Sequence, residues 1–183
     1  MDKWNDWYKD IKLQDIGSFR YGETHTYKLG YDFLKDCNQI EDWGCGVGGF
    51  KRMINPNDNI KYIGIDGSNT PFLDIKADLT EYTSNTDGIF MRHILEHNYQ
   101  WKKILVNACN SFKKKMCLIL FSDFVDTTRE IAHNLKHGVD VPDMAFSKKE
   151  LFEVFDNLNI KYQIQSFNTN TGYNIEHAIY LQK

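Results

Sequence analysis

The stretch Ile40-Glu41-Asp42-Trp43-Gly44-Cys45-Gly46-Val47-Gly48-Gly49-Phe50 constrains the fold more than any other part of the chain. It reads as a short strand ending in an acid, then a glycine-rich turn, then the start of a helix. Glycine reaches positive φ without a Cβ penalty and lets a ligand approach the backbone. A helix opening behind such a turn would aim free N–H groups at a polar ligand. Nucleotide-type sites of several kinds use this device. The spacing here is D-x-G-x-G-x-G, whereas a dinucleotide-binding turn shows G-x-G-x-x-G.

The rest of the chain alternates strand and helix patterns. Strands are expected at Gln39 to Trp43, Lys61 to Asp66, Gly88 to Arg92 and Met116 to Phe121, with Phe72 to Ala77 read as a loop or short element before a third edge. The run Met116 to Phe121 is continuously apolar, as a strand covered on both faces should be. Helical spacing marks Thr26 to Cys37, Trp101 to Phe112, Thr127 to Lys136 (ended by Gly138) and Ser147 to Leu158. A short helix is expected over Phe50 to Ile54, and another over the first ten residues. Ser147 followed by Glu150 suggests a capping box. The final strands, Lys161 to Phe167 and Glu176 to Leu181, are joined by a linker too short for a crossover helix, so they should pair antiparallel. Alternation of this kind predicts a mainly parallel sheet with helices on both faces.

With 183 residues, the chain suits one domain with a real core. A formal net charge of -3 argues against a chain built mainly to grip a phosphate backbone. Lys113-Lys114-Lys115 reads as a solvated helix end rather than a basic patch. The four cysteines show no C-x-x-C pair, and the N-terminus shows no signal segment, so a reducing cytoplasmic setting is expected.

Two ordered motifs together are more specific than either alone. The glycine turn resembles motif I of the class I S-adenosylmethionine (SAM) methyltransferases. The segment Asp87-Gly88-Ile89-Phe90-Met91-Arg92-His93-Ile94-Leu95-Glu96-His97 is similar to the fourth-strand segment of small-molecule members of that family. The resemblance implies a single Rossmann-like methyltransferase domain over residues 1–183, with a seven-stranded, mainly parallel sheet ending in an antiparallel hairpin. It implies SAM as cofactor, with S-adenosylhomocysteine as product. Asp42 would be the motif I acid. Asp66 would accept both ribose hydroxyls, and Asp78 with Leu79 would read adenine. Gly44, Cys45, Gly46, Gly67, Arg92 and His93 would complete the cofactor site, with Arg20 pairing the methionine carboxylate.

Methyl transfer from a sulfonium needs orientation first. A hydroxyl acceptor also needs a base, and His93 or His97 could serve. If His93 opened a helix, Glu96 and His97 would share its face and could bind a divalent metal. No metal is nevertheless expected, because the resembling Glu-x-x-Glu-His motif has His93 in place of its first Glu. Glu130, His133 and His137 would share a helical face. Residues 1–36 are expected to form a helical lid segment, and residues 123–146 a substrate-side insertion. The resulting expectation is a methyltransferase acting on an oxygen or nitrogen of a small molecule or sugar, without membrane attachment. Alternatives are an RNA methyltransferase and a non-catalytic SAM-binding subunit.

Overall fold

The computed structural model describes residue 4 and residues 25–135, 139–169 and 172–183. Five strands run parallel: β1 (Gln39–Trp43), β2 (Lys61–Asp66), β3 (Ile75–Lys76), β4 (Thr86–Arg92) and β5 (Phe112–Leu120). Two further strands, β6 (Arg129–Asn134) and β7 (Val141–Ala145), form a separate antiparallel hairpin. The last pair, β8 (Lys161–Asn168) and β9 (Ile175–Gln182), is antiparallel, and β9 lies against β5. The main sheet has the order β3-β2-β1-β4-β5-β9-β8. The expected sheet, including its C-terminal hairpin, is therefore present.

The sheet is sandwiched. Helix α1 (His25–Leu34) packs on one face, where Leu34 meets Ile40, Phe90, Cys117 and Ile119. Helices α2 (Trp101–Ser111) and α3 (Lys148–Asn157) cover the other. Ile104, Leu105, Ala108 and Cys109 of α2 recur at helical spacing and join Leu151, Val154 and Phe155 of α3 in one buried cluster. Each of the larger aliphatic side chains contributes about 1.5–3 kcal/mol by leaving water. All four cysteines are free and buried. Among the described residues, no helix is long and apolar enough to cross a membrane.

Several expectations are corrected. Where a helix is expected over Thr127 to Lys136, Arg129–Asn134 form strand β6, which pairs with β7 through registers such as His133↔Pro142, and Lys136 lies outside the described residues. Glu130 and His133 therefore share no helical face, and His137 and Gly138 lie outside the described residues. No α-helix follows the glycine turn, only a single 3-10 turn at Lys51–Met53. Ser147 occupies the N-cap of α3, but its side chain makes no capping bond. Glu150 instead accepts from Thr128 N at 3.2 Å, so the capping box is replaced by a tie to the preceding loop. Lys113 to Lys115 lie within β5 rather than on a helix end, with Lys114 on Asp87 and Lys115 on Asp36.

Candidate active site

The carboxyl ends of the parallel strands surround a cavity of about 460 Å³, within the usual size of small-molecule sites. Its floor is the glycine turn. Gly44, Gly46 and Gly48 have φ of 79°, 48° and 75°, a region other residues enter only with strain. The N–H groups of Gly44 and Cys45 both donate to Ile65 O, at 2.7 and 3.0 Å, which anchors the turn to β2. At the end of β2, Asp66 accepts from Gly46 N at 3.0 Å and from Ser68 N at 2.8 Å. One carboxylate thus fixes two turns and still lines the cavity. Burial pushes its carboxyl up, against the backbone N–H groups of Ser68, Gly46 and Gly67 that favour the charged form.

The segment after β3 forms the next wall. Asp78 Oδ1 accepts from Thr80 N at 2.9 Å and Thr80 Oγ1 at 2.8 Å, closing its own turn. Asn107 of α2 donates to the carbonyls of Leu79 and Thr80, at 3.1 and 2.9 Å. Leu79, with Ala77 and Ile104, is the apolar part of this wall.

Arg92 and His93 end β4 over a buried acid. Glu176 Oε1 accepts from Arg92 Nη2 at 2.7 Å and lies 2.6 Å from His93 Nε2. Thr26 Oγ1 of α1 reaches the same oxygen at 3.3 Å. Arg92 also donates to Thr26 and to Tyr27, over whose ring it lies at 4.5 Å. His93 has φ of 57° and is buried. Burial, then the charges of Arg92 and His97, hold its imidazole well below the ordinary histidine range. His93 is therefore neutral, with Nε2–H facing Glu176.

His97 lies in the 3-10 turn Leu95–His97. Its Nδ1 is 3.2 Å from Pro142 O and 3.1 Å from Asp143 Oδ1. Glu96 points elsewhere: its carboxylate accepts from Phe121 N at 2.6 Å, and burial pushes it up to about 7. With His93 in a left-handed conformation and Glu96 turned to the backbone of Phe121, the three residues do not share a helical face. The condition set for a metal there fails.

Gly44, Cys45, Gly46, Asp66, Gly67, Asp78, Leu79, Arg92, His93 and His97 are thus brought to one cavity. Asp42 is not among its described lining. The alternation of β1 places Asp42 on the α1 side with Ile40, where it accepts from Tyr62 at 2.9 Å. Burial pushes this carboxyl up to about 7. Arg20 lies outside the described residues. From the expected lid segment, Trp4 and Tyr27 line the cavity. From the 123–146 segment, Val141 does so too. Sequence reasoning missed Glu176, Asp143 and Tyr173. The signal for Glu176 was an acid near the start of a strand with an apolar centre, Ile175-Glu176-His177-Ala178-Ile179.

No family model matches the chain, and no curated protein does. Solved structures do. One is the Burkholderia thailandensis 1,6-didemethyltoxoflavin-N1-methyltransferase with 1,6-didemethyltoxoflavin and S-adenosylhomocysteine bound. It is 12% identical with a TM-score of 0.67, over 98% of this chain and 81% of that one. The Synechocystis magnesium protoporphyrin IX methyltransferase with bound SAM is 12% identical with a TM-score of 0.68, over 98% and 90%. A chain from the complex of the Haloferax volcanii Trm112 methyltransferase activator with a methyltransferase is 11% identical with a TM-score of 0.68, over 100% and 98%. The fold of this chain is that of the class I, Rossmann-like SAM methyltransferases.

Proposed function

We propose that the chain binds SAM in this cavity and transfers its methyl group to an oxygen or nitrogen of a small-molecule or sugar acceptor. The observation that carries the reading is Asp66, a buried carboxylate fastened to the glycine turn and presented to the cavity from the end of β2. A carboxylate there suits a pair of ribose hydroxyls, because it accepts two donors at once. The Burkholderia and Synechocystis proteins, whose fold this chain shares, were solved with S-adenosylhomocysteine and SAM.

The residues fit the cofactor. At Gly44 and Gly46 the turn has no Cβ to keep a ligand from its backbone. Asp78, which lines the cavity, would accept from an adenine amino group, and Leu79 would cover the ring. SAM, when bound, supplies an activated methyl group on a sulfonium. Arg92 is already paired with Glu176, so its part is to shape the cavity wall; the methionine carboxylate is left to Arg20. The neighbouring walls, from Trp4, Ile94, His97 and Val141, would receive the acceptor. His97 is a better base than His93, because burial disfavours the proton on His93.

Calorimetry with S-adenosylhomocysteine tests this reading. One site per chain is expected, weakened by roughly 1.5–3 kcal/mol in Asp66→Ala, the worth of hydrogen bonds to a charged group. No heat of binding from folded wild-type protein would sink the proposal. Binding of both SAM and its product, with no transfer to a panel of hydroxy-aromatics, amines and glycans, would point to the non-catalytic subunit instead.

A further inference from the structure

We propose that Asp143 is a positioning residue that, beside the carbonyl of Pro142, holds His97 as its Nδ1–H tautomer, leaving Nε2 as the proton-accepting atom; the purpose of this arrangement rests on the methyl-transfer reading above. Three segments distant in sequence converge to make it. His97 comes from the 3-10 turn after β4, Asp143 from β7, and Tyr173 from the turn before β9. His97 Nδ1 faces Pro142 O at 3.2 Å and Asp143 Oδ1 at 3.1 Å. A carbonyl and a carboxylate can only accept, so Nδ1 must carry the ring proton.

Asp143 is itself held. Tyr173 donates to its Oδ2 at 2.6 Å, which turns Oδ1 toward the imidazole. Only the bond to Pro142 O is aligned; Oδ1 is buried and has no aligned donor. It meets His97 through charge, and a buried carboxylate oxygen in that state is satisfied when the ring becomes cationic. Burial alone would push the Asp143 carboxyl up, but the contacts with His97 and Tyr173 hold it below the ordinary range, so it is ionised. The ring plane is fixed as well. Phe121 lies 5.3 Å from the His97 ring and stacks on Tyr173 at 5.2 Å, and Trp4 lies 5.1 Å from His97.

The step this serves balances simply. The acceptor O–H or N–H bond breaks, its electron pair stays on the acceptor atom, and the proton passes to Nε2. The imidazolium charge then sits beside Asp143. Other titratable groups face the pair. His93 and Glu96 act on His97 from its own segment, while Glu130 and His133 of β6 act on Asp143. No second imidazole among the described residues combines a place in the cavity wall with a carboxylate facing Nδ1.

Long-range ¹H–¹⁵N spectra of the full chain labelled at histidine test the assignment, with His97 identified by its loss in His97→Gln. Neutral wild-type His97 is expected to show a protonated Nδ1 and a bare Nε2. Asp143→Asn keeps an oxygen for Tyr173 and so turns an amide N–H toward Nδ1, where the carboxylate had presented an acceptor. It should shift the ring toward the Nε2–H form. An Nε2–H tautomer in the wild type overturns the proposal, and this measurement decides even if Asp143→Asn does not fold. So does an unchanged tautomer in a folded Asp143→Asn. Calorimetry with S-adenosylhomocysteine on the same samples separates the two claims. The expected tautomer without binding would overturn the methyl-transfer reading and the role given to Asp143, while the geometry stood.

Discussion

Gly44 is constrained both by its backbone and by its neighbour at the scale of single residues. Its φ is 79°, and a Cβ built there falls 1.9 Å from Cδ1 of Ile94. The left-handed conformation costs an L-residue roughly 1–2 kcal/mol. Displacing Ile94 from a packed wall adds about 1–3 kcal/mol. Gly44→Ala should therefore lower the urea-unfolding free energy by about 2–5 kcal/mol and weaken S-adenosylhomocysteine binding, since Ile94 lines the same cavity. Gly172→Ala, with nothing within 4 Å of the added carbon, is the neutral control. Equal losses in both variants would contradict the steric account. The motif made Gly44, Gly46 and Asp66 legible because spacing along the chain sets the turn and the end of β2. It could not show where Asp42 points. Strand alternation decides that, and it puts Asp42 against Tyr62 on the far side of the sheet.

Elements were legible where burial imposed a period. The core strands β1, β2, β4 and β5 and the helices α2 and α3 stand within a few residues of their expected places. Strand β6 was not legible. Every side chain from Arg129 to His133 is exposed, so no alternation marks the strand, and its pairing partner Val141–Ala145 supplies the pattern from elsewhere. The 3-10 turn Leu95–His97 was similarly hidden, because its side chains reach segments distant in sequence: the His97 ring meets Pro142 O, and Phe121 N donates to the Glu96 carboxylate. That carboxyl is pushed up to about 7 by burial, against about 4.3 in an unfolded chain. The folded state therefore holds a proton there that the unfolded state has lost, and this group's contribution falls as pH rises from about 4 to about 7. Glu96→Gln removes that penalty while keeping an acceptor for Phe121 N. Its stability relative to wild type, read from urea curves, should improve between pH 5 and pH 8 and then level off. A difference independent of pH would mean that Glu96 is not titrating in the fold.

At the scale of the molecule, Glu176 joins what the sequence keeps furthest apart. Its Oε1 gathers Thr26 of the first described helix with Arg92 and His93 at the end of the central strand, while Glu176 itself opens the last strand. The Arg92 and Glu176 side chains are 5% and 0% exposed, so neither charge can turn to water if the other is lost. No local pattern announces such a contact, because each partner reads separately as an ordinary strand or helix terminus. Breaking one side of a buried pair costs about 3–5 kcal/mol, whereas replacing both by apolar side chains is often nearly neutral. Glu176→Ala should therefore lower the unfolding free energy by about 3–5 kcal/mol, and Arg92→Met with Glu176→Leu by much less. The sign of that difference separates a pair that holds the fold together from one that mainly sets the cavity wall. If the double variant is as unstable as Glu176→Ala, the loss lies in the packing of α1 on β4 and β9. If it recovers stability yet binds S-adenosylhomocysteine poorly, the charges are kept for the shape of the cavity, which only the assembled sheet can provide.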